Sequence, residues 1–285
     1  MNHNYVFACI DGSNFTEAVC DYSAWIANTL DAPLKLLHTI GQTQRPAVSD
    51  LSGAIGLGAS EELLNELTEV EQHRSHLLVK KGNLMLQAAK QRVEDAGVKN
   101  IELRQQKGSL SESLVDMEEQ MRVLVIGIRG TRHERQQQGL GAQLETVIRA
   151  IHQPILVVNN DFTPPKKVML AYDGGKGSKK ALEIVTSSPL SKHVPCHLVH
   201  VGDKANRSER LLDEAAHQLR TAGVETTVAQ LTGKVEDALV AYQLENDIDL
   251  TVMGAFSHTR VRDFILGSFT AKMLERTQRP LFLLR

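Results

Sequence analysis

The sequence predicts an α/β protein with two repeated, doubly wound domains, each a five-stranded parallel sheet flanked by helices. Three observations support this prediction. The length of 285 residues suits two domains of ordinary size. Similar short motifs occur twice along the chain. Within each repeat, short apolar runs alternate with helical patterns, which is typical of parallel strands joined by crossover helices.

The repetition is clearest at the start and at the end of each repeat. The segment ACIDGS is similar to LAYDGG, so Asp11 and Asp173 hold equivalent positions 162 residues apart. Later, LVIG and TVMG lie 127 residues apart, and PILVV and PLFLL lie 126 apart. Equivalent residues are 162 positions apart at the start of the repeats and 126 apart at their end, so the first repeat carries about 36 additional residues in between.

These shifts predict the domain boundaries. The first domain covers residues 1–159 and includes an insertion of loop and helix at about 41–78, whose helix starts near Ser60 after a glycine-rich loop. A linker with turn and proline signals covers 160–166, and the second domain covers 167–285.

The second repeat shows the order of its elements. Five short apolar runs are typical of strands covered on both faces: KVMLAYD, CHLVHVGD, VETTVAQLTG, IDLTVMGA and RPLFLLR. Four helical patterns lie between them: GSKKALEIVTSS, SERLLDEAAHQLRTAG, KVEDALVAYQLEND and GSFTAKMLERTQ. Gly223 ends the second helix, and Ser268 is a capping residue of the fourth. A sheet of this kind binds ligands at the carboxyl ends of its strands.

The composition argues against several classes of partner. A net charge of −2 and an aromatic content of 4% give no general case for nucleic acid or for a membrane surface. The three cysteines, Cys9, Cys20 and Cys196, form no CxxC pair and are expected to be reduced and buried. No signal peptide and no membrane-spanning run is visible, so we expect a cytoplasmic protein.

The segment MGAFSHTRVRDFILGS has the composition of a phosphate-binding loop. Gly254 follows an apolar strand, and Gly267 with Ser268 begins a helix. Glycine lets a backbone approach a ligand closely, and a helix N-terminus offers N–H donors and partial positive charge. The same residues also suit an ordinary turn and an ordinary helix cap, so the spacing of the whole set carries the prediction.

With this loop and the repeat, the chain resembles the universal stress protein family in its tandem form. That family has an ATP-binding signature of Gly, two residues, Gly, nine residues, and Gly-Ser or Gly-Thr. Here Gly254 is followed by Ser257 in place of the second glycine, then by nine residues and by Gly267 and Ser268. The resemblance covers nearly the whole chain apart from the insertion and the linker.

The first repeat departs from the signature in a different way. It keeps both early glycines, Gly127 and Gly130, but ten residues separate Gly130 from Gly141. Alanine, at Ala142, stands where the family has a hydroxyl. We therefore expect the second repeat to bind the ligand, and the first to bind it weakly or not at all.

The resemblance implies an adenine nucleotide alpha hydrolase-like fold and a site for ATP or a related adenine nucleotide, ADP or AMP, with the need for Mg²⁺ left open. It places Asp173 near the ribose or the base, the backbone of Val201 at adenine, and Gly233 at the border of the pocket. The weaker counterparts in the first repeat are Asp11, Thr39, Gly127, Gly130 and Gly141.

The basic side chains of the loop leave two interpretations open. His258 and Arg260 either donate charge-assisted hydrogen bonds to phosphate or are solvated loop charges. His38 and His200, which recur at equivalent strand positions, are predicted to be packed, hydrogen-bonded residues and not catalysts.

The leading functional hypothesis is a nucleotide-binding regulatory protein of the stress response. Whether it is an enzyme stays open, with slow ATP hydrolysis or autophosphorylation as the upper limit, because no nucleophile–base pair is visible. The alternative is a nucleotide-independent interaction protein with vestigial or other-ligand pockets, supported by Ser257 and Ala142. An adenylate-forming or pyrophosphatase enzyme is disfavoured, because the loops DGSNFT and DGGKGS lack the Ser-Gly-Gly-x-Asp-Ser pattern.

The family also dimerises through its last strands. The resemblance therefore implies that the apolar last strands of the two repeats pair with each other and form an intramolecular pseudo-dimer. Whether two chains associate further into a homodimer is left open.

Overall fold

Strands and helices alternate in both repeats of the structure, a computed structural model that describes residues 4–41, 57–130, 142–191, 194–202, 206–255 and 268–285. The first repeat contains β1 (Tyr5–Cys9), α1 (Thr16–Leu30), β2 (Leu34–Ile40), α2 (Leu57–Asp95), β3 (Ile101–Lys107), α3 (Leu110–Val115), β4 (Met121–Gly127), α4 (Ala142–Ala150) and β5 (Ile155–Val158). The second contains β6 (Val168–Ala171), α5 (Lys176–Ser187), β7 (Cys196–Val201), α6 (Asn206–Thr221), β8 (Thr226–Leu231), α7 (Val235–Glu245), β9 (Leu250–Gly254), α8 (Ser268–Arg276) and β10 (Leu281–Leu284). The α/β fold and the predicted alternation are confirmed.

The strands form one sheet of ten in the order β3-β2-β1-β4-β5-β10-β9-β6-β7-β8. Neighbours within each repeat are parallel, as predicted. The join is antiparallel, because β5 pairs with β10 through Leu281 opposite Val157 and Leu283 opposite Ile155. The sequence predicts two five-stranded sheets, and the structure joins them edge to edge, which leaves neither last strand as an open edge.

The core lies on both faces of the sheet, because successive strand residues point to opposite sides. On β1, Val6 and Ala8 belong to the cluster under α1, α2, α5 and α6, whereas Phe7 and Cys9 belong to the cluster under α3, α4, α7 and α8. Each cluster contains residues of both repeats, so one continuous core runs along each face.

The cysteines are buried within this core, as predicted. Cys9, Cys20 and Cys196 are all free thiols with at most 7% of their surface exposed. Burial raises the pKa of each thiol, to about 12 for Cys20 and Cys196. At neutral pH they are protonated and act as small apolar side chains.

Polar contacts hold the segment between the repeats against the second repeat. The Nδ2 group of Asn159 donates hydrogen bonds of 2.9 and 3.0 Å to the backbone oxygens of Thr277 and Arg279. The rings of Phe162 and Tyr22 meet edge to face with centroids 4.8 Å apart. Within the linker, the backbone N–H of Lys166 donates a hydrogen bond of 2.8 Å to Asp249 Oδ2 of the second repeat, so the predicted linker is packed and hydrogen-bonded.

Helix α2 starts close to the predicted position near Ser60, and the predicted glycine-rich loop before it lies largely outside the described residues. The helix begins at Leu57 and runs for 39 residues without a break, because no proline interrupts it. Its counterpart α6 has 16 residues, so the insertion lengthens an existing crossover helix at its N-terminal end. Among the helices of the described ranges, none combines the length and the hydropathy of a bilayer-spanning segment.

The Asn159 contacts make a testable contribution to stability. Replacing Asn159 with alanine removes two hydrogen bonds and leaves the Thr277 carbonyl without this donor, whereas the Arg279 carbonyl keeps the Thr277 hydroxyl at 3.1 Å. We therefore expect the free energy of unfolding to fall by about 1–3 kcal/mol. Urea denaturation followed by circular dichroism measures the change. The exposed Asn100, replaced in the same way, is the control, and equal effects of the two variants would contradict the prediction.

Candidate ligand-binding site

A cavity of about 330 Å³ opens at the carboxyl ends of β6, β7 and β9 in the second repeat. It lies where the order of the strands reverses, because β6 pairs with β7 on one side and with β9 on the other. Doubly wound sheets bind their ligands at this reversal. The size of the cavity is that of a small-molecule site.

Three helices begin at this cavity. Its lining includes Gly175, the N-cap residue of α5, Val235, the first residue of α7, and Ser268, the first residue of α8. The first N–H groups of a helix lack partners within that helix, and they carry partial positive charge. Three such ends at one cavity favour an anionic ligand group.

A tight loop after β6 holds Asp173 at the rim of the cavity. Its Oδ1 atom accepts hydrogen bonds from the backbone N–H of Gly175 at 2.8 Å and from the Ser178 hydroxyl at 2.7 Å. Gly174, with a φ of +75°, makes the turn possible. The carboxylate is therefore fixed in position before any ligand arrives.

The first repeat contains the same loop. Asp11 Oδ1 accepts hydrogen bonds from the backbone N–H of Ser13 at 2.9 Å and from the Thr16 hydroxyl at 3.2 Å. Gly12, with a φ of +74°, takes the place of Gly174. The equivalence of the two strand-end aspartates therefore extends to their hydrogen bonds.

Two glycines bring α5 against the end of β9. A Cβ atom on Gly254 would lie 3.0 Å from the Cα and carbonyl carbon of Gly177, and a Cβ on Gly177 would lie 3.0 Å from the Cα of Gly254. The sequence suggests that Gly254 serves the approach of a ligand. The structure shows that it also allows a second backbone, that of Gly177, to come this close.

The first repeat has a phenylalanine at the position of Gly177. Phe15 occupies it, and a Cβ atom on the facing Gly127 would lie 3.0 Å from the Cβ of Phe15 and 3.6 Å from its Cγ. Nearby, a Cβ on Gly130 would lie 2.9 Å from Asp11 Oδ2, so the loop after β4 rests on that carboxylate. In the first repeat, a phenylalanine and the start of the loop after β4 thus lie close to the strand end and to Asp11.

Charged side chains line one side of the cavity. Glu236, on the first turn of α7, is buried and lies 3.0 Å from the Lys272 ammonium and 3.3 Å from that of Lys234. Its own backbone N–H and the ammonium of Lys272 lower the pKa of Glu236 to about 2. Glu236 is therefore ionised at neutral pH, and it holds Lys272 at the cavity. The equivalent of Lys272 in the first repeat is the uncharged Thr146.

The remaining lining of the cavity is largely apolar. It is formed by buried or half-buried side chains that include Val199, Val201, Leu239 and Met253. His200 also lines it, and its Nδ1 donates a hydrogen bond of 2.8 Å to the carbonyl oxygen of Tyr172. The same bond, at 2.6 Å, joins His38 to Ile10 in the first repeat, so the prediction of packed, hydrogen-bonded histidines is confirmed.

The structure brings together four of the residues predicted for the site in the second repeat. Asp173, Val201, Gly254 and Ser268 all line the cavity. Gly233 is not among the lining residues; with a φ of +105°, it shapes the turn before α7. The predicted residues outside the described ranges are Ser257, His258, Arg260, Gly267 and Gly141.

Of the predicted residues in the first repeat, Thr39 lies half-buried near the end of β2, and Asp11, Gly127 and Gly130 lie around Phe15 as described above. The prediction missed Gly177, Ser178, Glu236 and Lys272 in the second repeat. The available signal was the position of the first three in the first turns of α5 and α7, and of Lys272 one turn into α8.

The depressed pKa of Glu236 is a direct test of the charged side of the cavity. Replacing Lys272 with methionine removes a charge that favours the ionised carboxyl, so we expect the pKa to rise from about 2 toward its ordinary value of 4.5. Carboxyl ¹³C shifts followed against pH measure it. The pKa of Glu236 is lower in the folded chain than in the unfolded chain, so its ionised form stabilises the fold above about pH 4.5. This stabilisation is lost as the pH falls toward 2.

Lys90, which pairs with Glu94 on α2, is a suitable control for this experiment. Its replacement with methionine should leave the titration of Glu236 unchanged. A pKa of Glu236 that does not move when Lys272 is replaced would show that the ammonium is not its partner in solution.

Comparison with known proteins gives one consistent family. The sequence model of the universal stress protein family matches the chain twice, over residues 4–159 and 164–285. A curated universal stress protein of Synechocystis sp. is 36% identical over 285 residues, covering 98% of this chain and 99% of the relative.

Solved structures share the fold over the whole chain. A universal stress protein from Archaeoglobus fulgidus has a TM-score of 0.76 at 19% identity, covering 100% of this chain and 99% of its own. A functionally unknown protein from Pseudomonas aeruginosa has a TM-score of 0.63 at 12% identity, covering 99% and 92%. The fold is the adenine nucleotide alpha hydrolase-like fold of universal stress proteins. With the family model matching both repeats and a relative matching end to end, the chain belongs to the universal stress protein family, in its tandem form.

Proposed function

We propose that the second repeat binds an adenine nucleotide (ATP, ADP or AMP) and that the chain is a nucleotide-responsive regulatory protein of the stress response. One observation carries this proposal. The N-termini of α5, α7 and α8 and the ammonium of Lys272 converge on a cavity whose lining also includes apolar side chains.

A nucleotide has three chemical parts, and the cavity offers a complement to each. Helix N-termini and an ammonium group suit a phosphate. The apolar side around Val201, Leu239 and Met253 suits a flat base, and the fixed carboxylate of Asp173 suits the ribose hydroxyls. In the first repeat, Phe15 and Thr146 replace Gly177 and Lys272, which supports binding mainly in the second.

Residue roles follow from this arrangement as part of the proposal. Gly254 and Ser268 would lie at the phosphate, Asp173 at the ribose or base, and the backbone of Val201 at adenine. The loop residues Ser257, His258, Arg260 and Gly267 are expected to complete the phosphate contacts, and Gly233 to shape the border of the site. In the first repeat, Asp11, Thr39, Gly127, Gly130 and Gly141 would form a weaker or vestigial counterpart.

We also propose that the two repeats, 1–159 and 167–285 with a linker at 160–166, act as an intramolecular pseudo-dimer. The antiparallel pairing of β5 with β10 and the mirrored strand order support it. The three free, buried thiols suit a reducing compartment such as the cytoplasm. The role of the site is binding, with or without Mg²⁺, and turnover of ATP is at most slow.

Calorimetric titration of the purified chain with AMP and with adenosine tests the phosphate side. We expect about one site per chain for each ligand. Replacing Lys272 with methionine should weaken the affinity for AMP about 10- to 100-fold, because a charge-assisted hydrogen bond is lost. Adenosine, which has no phosphate, should bind the variant with unchanged affinity. Replacing Lys90 with methionine should change the affinity for neither ligand. Equal losses for both ligands would contradict the role given to Lys272.

A pair of exchanged side chains tests which repeat binds. Gly177→Phe copies the first repeat, where phenylalanine already lies against a glycine at the strand end, so the fold should persist while the cavity is filled. We expect this variant to lose AMP binding. Phe15→Gly should leave binding in the second repeat intact. Loss of AMP binding in the Phe15 variant, with retention in the Gly177 variant, would show that the first repeat binds AMP and would contradict the proposal.

The alternative function is a nucleotide-independent interaction protein, supported by Ser257 and Ala142, which depart from the family's signature. Titrations with ATP, AMP and cyclic di-AMP, with and without Mg²⁺, separate the two functions. Heat from none of these ligands would support the alternative. Steady multiple turnover of ATP would instead indicate an enzyme and would contradict a purely regulatory role.

A further inference from the structure

The N-terminal part of α2 extends beyond the body of the molecule. Between positions 65 and 74, all residues are exposed except the half-buried Leu67. Contacts with β3 begin further along, where Lys107 Nζ donates to the Ser75 hydroxyl at 3.1 Å and Gln105 Nε2 donates to the backbone oxygen of Val79 at 3.3 Å. An isolated helical segment is only marginally stable in water, so this one gains from a packing partner.

An apolar stripe follows the exposed side of this helix. Val70, Leu77 and Leu84 are 63%, 51% and 63% exposed, and they are seven residues apart. Seven residues are close to two helical turns, so the three side chains lie on one face. The residues that pack on the sheet, Gly82 and Leu86, face the other way.

Charges of opposite sign separate along the same helix. Glu66, Glu69 and Glu71 are exposed on the N-terminal side, and Arg74, Lys80 and Lys81 are exposed on the C-terminal side. A helix with this pattern is complementary to itself when its direction is reversed. Two parallel helices would instead place like charges opposite each other.

We propose that α2 is an interaction surface for a second molecule of the same chain, whose α2 packs against it in antiparallel orientation. The register that matches the stripe places Val70 opposite the partner subunit's Leu77. It also places Glu66 opposite the partner subunit's Lys81. A two-fold axis between positions 73 and 74 produces each contact twice, which is the closed symmetry of most homodimers.

The centre of this pairing has its own charge balance. Near the axis, Arg74 comes close to the partner subunit's His73 and Arg74. Glu71 lies 3.5 Å from Arg74 in the same helix and offsets its charge.

Sedimentation of the full chain at increasing concentration tests the surface. We expect a monomer–dimer equilibrium. Leu77→Glu should raise the dissociation constant of the dimer at least tenfold, because it places a carboxylate in the apolar stripe. Leu244→Glu, at an equally exposed leucine on α7, is the matched control and should leave association unchanged. Circular dichroism checks that the helix content is preserved in both variants.

Charge exchange tests the antiparallel register. Glu66 and Lys81 are about 22 Å apart along one helix, so they cannot pair within a chain. Glu66→Lys alone and Lys81→Glu alone should each weaken self-association about tenfold, because each creates two like-charge contacts across the interface. The double variant should restore it. An equimolar mixture of the two single variants should form heterodimers, since each chain then supplies the charge that the other needs.

Three results would overturn the proposal. A chain that is monomeric at every concentration up to its solubility limit would show that the surface has no such partner. A dimer that persists with Leu77→Glu would place the interface elsewhere. Single charge variants that weaken association without rescue in the double variant or in the mixture would exclude the antiparallel register. None of these results depends on nucleotide binding.

Discussion

The approach of α5 to the end of β9 determines the shape of the candidate site. Gly177 and Gly254 meet backbone to backbone, and a Cβ atom on either would come within 3.0 Å of the other residue. This contact leaves space in front of the strand ends, where Asp173 and Lys272 are already held by hydrogen bonds and by Glu236. Three helix N-termini then face a single cavity, which is an electrostatic environment for an anion.

The duplicated architecture explains how such a site is kept in one repeat and modified in the other. Pairing of β5 with β10 makes one sheet with two continuous cores, so each repeat is supported by its neighbour. The first repeat retains the Asp11 loop and the His38 hydrogen bond, which have structural value. It carries Phe15, whose side chain lies against Gly127, where the second repeat has Gly177.

Much of the fold could be predicted from the sequence, and part of the site could be. The α/β fold could be predicted because the alternation of apolar runs and helical patterns is visible in the local sequence. Comparison of the two repeats identified Asp173 and Gly254 as residues at strand ends. The role of Gly177 could not be read locally, because it depends on which backbone lies opposite it. Lys272 was missed because a lysine on a helix is usually a solvated charge, and only the packing of α8 beside α7 places it at Glu236. The length of α2 was not predicted, because the insertion was treated as separate from the crossover helix that follows it.

The central claim is that one repeat holds the phosphate of an adenine nucleotide at converging helix N-termini. Backbone amide NMR of the deuterated chain tests this most directly, with AMP and adenosine added in parallel. The account predicts that AMP shifts the amides of Gly175, Gly177 and Ser268 more than adenosine does, while the counterparts Ser13 and Phe15 stay unchanged. Equal shifts in both repeats, or no shift at these three amides at saturating AMP, would contradict it.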